Sequence, residues 1–368
     1  MSVKRERLAN PFAERLGEAL AMARRRRLDA LVVMGQKNVL SLAGVDCDNA
    51  ALVLDVAAGK IGFSTDFRYV PAIRRTAPWL KVRDCHRDLM GDLVAMLKGC
   101  ARVGRIGYEG DISAAKYLEL QRRFPRAKLV DVGEALLELR AVKTLDELTR
   151  VARAEALNDR IWSLAKGDFR SGMTEKGLQR IIRAYMNALG DGEAFETIVC
   201  VGRNAAECHH VPDDTVWHRG EPLLVDMGVK LDGVMSDMTR CLKPTGATAR
   251  TADAAEYLKV YDIVLQANLA AIAAARPGMT GAELDAVARR VIKRAGYGKA
   301  FGHALGHGVG YEIHESPVAS PRSRTVLKSG MLVTIEPGIY LPGRLGVRIE
   351  DLVAITDSGC EVLSHSRK

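Results

Sequence analysis

Asp226, Asp237, His307, Glu336 and Glu350 each sit in a short segment flanked by glycine or by an apolar run. The segments are LLVDMG (223–228), VMSDMTR (234–240), GHALGHGVGYEIHESP (302–317), VTIEPGIY (333–340) and GVRIEDLV (346–353). Four carboxylates gathered in one interior would repel one another and lose hydration, at a cost of several kcal/mol each. Two divalent cations would cancel the four negative charges, and a neutral His307 would add a ligand without upsetting the balance. The chemistry such a set serves is metal-assisted hydrolysis.

The surrounding elements decide whether these side chains can meet. The apolar run LLV, the Asp232-Gly233 turn and the run VMSDMT read as a β-hairpin. A two-residue turn at Asp232-Gly233 sets Asp226 opposite Thr239 and Gly228 opposite Asp237. The two aspartates then share a face as diagonal neighbours, their Cα atoms roughly 7–8 Å apart. The competing reading is a hairpin with two exposed acids. Glu336 ends a strand immediately before Pro337-Gly338, where a cavity can open. Glu350-Asp351 interrupts an apolar strand, and Glu350 shares a face with Arg348 and Leu352; an Arg348–Glu350 ion pair is the alternative there. Of eight histidines, five (His209, His210, His303, His307, His314) fall in two short stretches. Gly302, Gly306, Gly308 and Gly310 argue against a regular helix around three of them.

At 368 residues the chain favours two domains over one. From the start to about Arg140, helical and strand patterns alternate: a helix over 12–26, strands in LDALVVMG, AALVLDV, IGFSTDFRY and RIGYEG, and helices over 88–98 and 114–124. That alternation predicts an α/β layer with a mixed or parallel sheet. A long charged helix over 134–164 is expected to link the domains. Further helices are expected over 174–189 and 252–275. PGMTGAELDAVARRVI (277–292) echoes SGMTEKGLQRIIRAYM (171–186), which suggests an internal duplication of helix pairs over strands.

Composition excludes several classes. No apolar run reaches the ~18 to 20 residues of a membrane span, and MSVKRERLANPF lacks the apolar core of a leader, so a cytoplasmic protein with no membrane partner is expected. Seven scattered cysteines without CxxC spacing suit reduced thiols. The net charge is +9, and residues 1–140 hold 25 Lys+Arg against 17 Asp+Glu, a net of +8. The run Arg24–Arg27 follows a helix, where cations complement the macrodipole, so no nucleic-acid partner is expected.

Taken together, the motifs resemble those of the pita-bread metallopeptidases, the family of methionine aminopeptidases, proline-specific aminopeptidases and proline dipeptidases. The resemblance implies metal ligation by Asp226, Asp237, His307, Glu336 and Glu350. It implies catalytic roles for His209 in CHHVP, His303 in FGHALGH, His314 in EIHESP and Glu336, and substrate contacts for Tyr340 and Arg348. FETIVCVGRNAAECHHVP (195–212) is similar to the entry segment of the proline-specific branch, apart from Cys208, which stands where a proline commonly precedes the histidine. The fold implied is α/β (α+β): a small N-terminal α/β domain, 1–140, then a C-terminal pita-bread domain, 141–368, with pseudo-two-fold helix pairs over a curved antiparallel sheet. The activity implied is hydrolysis of the bond before a second-position proline, in peptides or Xaa-Pro dipeptides, by a homodimer. The cofactors implied are two divalent ions, manganese first, with cobalt, iron or zinc as alternatives. Two other readings stand beside it: a creatinase-like enzyme cutting a non-peptide C–N bond without metal, and an inactive binding protein that uses its basic N-terminal domain.

Overall fold

Apolar, β-branched runs set the strands of the N-terminal unit in the computed structural model, which describes residues 10 and 12–368. They form β1 (Ala30–Val33), β2 (Ala50–Asp55), β3 (Lys60–Thr65), β4 (Val82–Asp84), β5 (Arg105–Tyr108) and β6 (Lys128–Asp131), in the order β4-β3-β2-β1-β5-β6. The sheet is mixed. β2 runs antiparallel to β1 and β3, and the β1–β5, β5–β6 and β3–β4 pairs are parallel. Both faces are covered, as parallel pairing requires: Leu31, Val33, Leu52 and Leu54 enter one core, Ala30, Val32, Leu93 and Ile106 another. Arg24–Arg27 lie exposed at the C-terminal end of the helix Ala13–Arg25.

The chain divides into compact units after Arg140. The long helix expected over 134–164 is two helices, Gly133–Ala141 and Leu145–Asp168. Capping explains the break. Thr144 accepts from Glu147 N while the Glu147 carboxylate accepts from Thr144 N, a closed capping box that starts a new helix. In the gap, Lys143 donates its N–H to Gly330 O at 2.9 Å and pairs its ammonium with buried Glu315.

The second unit contains two similar halves. In the first, the helices Leu145–Asp168 and Glu175–Leu189 cover a three-stranded antiparallel sheet of Ile198–Val201, Leu223–Met227 and Met238–Leu242. In the second, Ala252–Ala274 and Gly281–Arg294 accompany Leu332–Ile335, Asp351–Ile355 and Cys360–Val362, again antiparallel. Matching helices bury matching stripes at i, i+4 and i+8: Leu178, Ile182 and Met186 in one, Leu284, Ala288 and Ile292 in the other. Each large side chain so buried contributes roughly 1.5–3 kcal/mol. The two echoing Gly-Met-Thr segments put Thr174 and Thr280 at the N-caps of these helices, each accepting from the backbone N–H three residues on. The first sheet is covered on both sides, Val199, Val225 and Met238 facing its own helices and Cys200, Leu224 and Cys241 facing the core of the second half.

All seven cysteines are free. Among the described residues no helix is long and apolar enough to cross a membrane. Residues 1–9 and 11, on which most of the leader-free reading rests, lie outside the described residues.

Candidate metal centre

The hairpin register follows from its turn. Asp232 and Gly233 both take positive φ, 50° and 77°, as a type I′ turn requires. Lys230 then faces Met235, and Asp226 faces Thr239. The ladder is interrupted at Gly228 and Asp237, because Val229 N turns to Ser236 Oγ at 2.9 Å and Asp237 N to Glu155 Oε2 at 3.1 Å. A Cβ at Gly228 would stand 2.2 Å from Ser236 O, so only glycine admits this approach.

The remaining acids also stand where ladders stop. Glu336 follows the strand Leu332–Ile335, its N–H reaching Leu305 O at 2.9 Å. Glu350 lies in the gap between Leu345–Arg348 and Asp351–Ile355. His307 is on the short strand Gly306–Gly308. Two fully buried asparagines satisfy carbonyls freed beside these acids: Asn158 Nδ2 donates to Met227 O at 2.9 Å, and Asn268 Nδ2 to Ile335 O at 2.9 Å and Ile349 O at 3.4 Å. They occupy the first helix of each half, a duplicated device beneath the site.

All five expected ligands line one cavity of about 430 Å³ with His209, His303, His314 and Arg348. Tyr340 stands behind the wall. Its hydroxyl accepts from Arg348 Nη1 at 2.9 Å and lies 2.9 Å from His303 Nε2, while His303 Nδ1 lies 2.7 Å from Ala304 O. The protons order themselves along that chain: Nδ1–H donates to the carbonyl, leaving Nε2 to accept from Tyr340. Burial, with Arg348 and Arg289 nearby, lowers the His303 pKa to about 4, which keeps this ring neutral.

The donor set fits cations. His307 Nδ1 lies 3.1 Å from Gly308 O, a donor's position, which leaves the Nε2 lone pair facing Glu336 Oε1 at 3.3 Å and Asp237 Oδ2 at 3.6 Å. Burial and the neighbouring His314 lower the His307 pKa to about 4, so the ring is neutral and acceptor faces acceptor. One ligand atom each from Asp237, His307 and Glu350 lies within 4.8 Å of the others. Asp226 Oδ1 is buried without a hydrogen-bond partner. Burial, then mutual repulsion, pushes the Asp237 and Glu350 pKa values well up and that of Glu336 to about 8. Such an array is stable as an ionised set only with positive charge among its oxygens.

Arg348 does not pair with Glu350, the alternative left open by strand periodicity. Its Nη2 donates to Asp226 Oδ2 at 2.7 Å and its Nε to Thr239 Oγ1 at 3.0 Å, while Thr239 Oγ1 donates to Glu350 Oε2 at 2.7 Å. Asp351 turns the other way, to Arg240 at 2.9 Å. Thr239 was legible as part of the SDMTR segment. Glu155 was not: a fully buried acid in a long helix carries no motif, yet its pKa rises to about 8 by burial and its carboxylate holds Asp237 N.

Comparison with known proteins places these features. Residues 149–357 match the profile of metallopeptidase family M24, and residues 15–142 match that of the creatinase/prolidase N-terminal domain. An uncharacterised peptidase of Bacillus subtilis is 31% identical over 100% of this chain and 99% of that protein. A Xaa-Pro dipeptidase of Pyrococcus furiosus is 36% identical over 72% of this chain and 74% of that protein. Among solved structures, a Xaa-Pro dipeptidase from Bacillus anthracis superposes with TM-score 0.88 at 29% identity, covering 97% of this chain and 98% of that one. An X-Pro aminopeptidase from Thermotoga maritima superposes with TM-score 0.85 at 28% identity, covering 95% and 97%. The pita-bread arrangement expected of the second unit is that of these neighbours.

Proposed function

Since the chain belongs to metallopeptidase family M24, we propose that it hydrolyses the bond between a first residue and a following proline, in Xaa-Pro dipeptides or at the N-terminus of longer peptides. The activities named for its relatives support that substrate class. The observation that carries the reading is the convergence of four separated acids and a histidine lone pair on one cavity.

Asp226, Asp237, His307, Glu336 and Glu350 would hold two divalent ions. An oxygen-rich set with one imidazole favours manganese, with cobalt, iron or zinc as alternatives. When bound, such ions supply a nucleophile at neutral pH and a Lewis acid for the carbonyl oxygen. The chain's own residues do the rest. Glu336 takes the proton of the attacking water and returns it to the proline nitrogen, which cannot leave unprotonated. His314 has no hydrogen bond to protein among the described residues and donates to the developing oxyanion. His209 holds the residue after the scissile bond. Arg348 and His303, tied together by the Tyr340 hydroxyl behind them, form a fixed wall, and Phe195, Ile198 and Ile313 give the cavity an apolar side that suits a proline ring. The reading includes a homodimer in the cytoplasm, checked by light scattering and cell fractionation.

The deciding experiment follows proline release from Xaa-Pro substrates before and after chelation, then after manganese is restored. Loss on chelation and recovery with manganese are expected. Full activity after complete removal of ions would defeat the metal-dependent reading and favour the creatinase-like one. Absence of any Xaa-Pro hydrolysis, with salt-sensitive binding of DNA, would favour the binding-protein reading.

A further inference from the structure

A second cavity, of about 420 Å³, shares no lining residue with the metal centre. Lys166, Arg219, Lys243 and Arg367 line it from segments far apart in the sequence, and none of the four makes an ion pair among the described residues. Lys368 lines it too, its ammonium 2.5 Å from buried Asp351. The one acid on the wall among the described residues is Glu221, whose carboxylate accepts from His218 N at 2.9 Å. Like charges around one concavity repel one another unless an anion joins them.

The wall is held in place by the fold. Thr245 N donates to Gly220 O at 3.0 Å, which joins the loop of Arg219 to that of Lys243. A Cβ at Gly220, where φ is 97°, would stand 2.9 Å from Thr245 O, so the approach needs glycine. The Lys243 ammonium lies 4.1 Å from the centre of the Tyr261 ring, and that of Lys166 lies 5.5 Å from the centre of the Trp162 ring. Such contacts hold the cations without neutralising them. Tyr261 is fully buried on the cavity wall, and its hydroxyl has no hydrogen-bond partner among the described residues. An unpaired buried hydroxyl is unfavourable, and an acceptor seated in the cavity would satisfy it.

We propose that this cavity binds a small organic anion bearing phosphate groups, whatever bond the metal centre cuts. Four unpaired cations match a ligand of more than one negative charge, which a phosphate ester carries and the single carboxylate of a short peptide does not. Arg219 and Arg367 offer paired N–H donors to phosphate oxygens, the lysines add point charges, and the Tyr261 hydroxyl supplies a neutral donor.

The test is calorimetric titration of the manganese-loaded full chain with fructose 1,6-bisphosphate, glycerol 2-phosphate and acetate, repeated after the metal is removed. At least one of the phosphates is expected to bind once per chain, equally with and without manganese and more weakly as salt rises, while acetate does not bind. The tighter of the two tells whether one phosphate or two is recognised. Lys243→Gln and Arg367→Gln, both at exposed side chains, are each expected to weaken binding about five- to tenfold, and Tyr261→Phe about threefold, with far-ultraviolet circular dichroism unchanged. No saturable binding of either phosphate, or the same affinity in wild type and all three variants, overturns the proposal. Binding that needs manganese places the anion at the metal centre and overturns it equally. So does displacement by sulfate at the same concentration as the phosphate, which would mark an adventitious ion only.

Discussion

His307 shows at the scale of one residue why the cavity needs cations: its lone pair confronts carboxylate oxygens at 3.3 and 3.6 Å. Asp237→Ala is expected to abolish turnover and lower the metal content measured by mass spectrometry, while far-ultraviolet circular dichroism stays close to wild type. Activity at the wild-type level would refute the assignment. His314→Ala should behave differently, retaining its ions but losing about 10²–10³ in kcat, as expected when one oxyanion donor is removed. Loss of metal in that variant would instead make His314 a structural support. The four acids and His307 were legible because each stands in a short segment with glycine or proline at its border. The partner of Arg348 was not. Period two pairs it with Glu350 only along an unbroken strand, and this strand stops at Arg348, so the guanidinium swings to Asp226.

Among elements, the hairpin register was readable because Asp232-Gly233 admits one turn geometry and that turn fixes every facing pair. The break at 142–144 was hidden, since the apolar spacing continues across it. Only the Thr144–Glu147 box and the buried Lys143–Glu315 pair, which lies far apart in sequence, decide the matter. The asparagines beneath the strand ends were equally silent in the sequence. Asn268→Ala would strand two buried carbonyls, and is expected to cost about 1–3 kcal/mol in urea unfolding while weakening metal retention. A variant as stable as wild type would mean those carbonyls find other donors.

For the whole molecule, buried acids make the metal-free state sensitive to pH. Glu336 has a folded pKa of about 8 against an ordinary 4.5, and Asp237 and Glu350 are displaced the same way. A raised folded pKa means the native state binds more protons than the unfolded one. The associated stability is full below the ordinary value and is lost as pH rises through about 8. Ions reverse that sign, because they bind the ionised carboxylates. Calorimetry should find chelated protein melting several degrees lower at about pH 8.5 than at about pH 5.5, with no such loss in manganese-loaded protein. A chelated melting temperature that climbs with pH would contradict this.

The five proposed ligands are shared between the halves, Asp226 and Asp237 from the first, His307, Glu336 and Glu350 from the second. During synthesis a divalent ion would therefore have no complete berth until the second half has emerged from the ribosome, and metal capture would mark the end of folding. Conversely, a protease nick that lets the halves drift apart would release whatever metal the site holds.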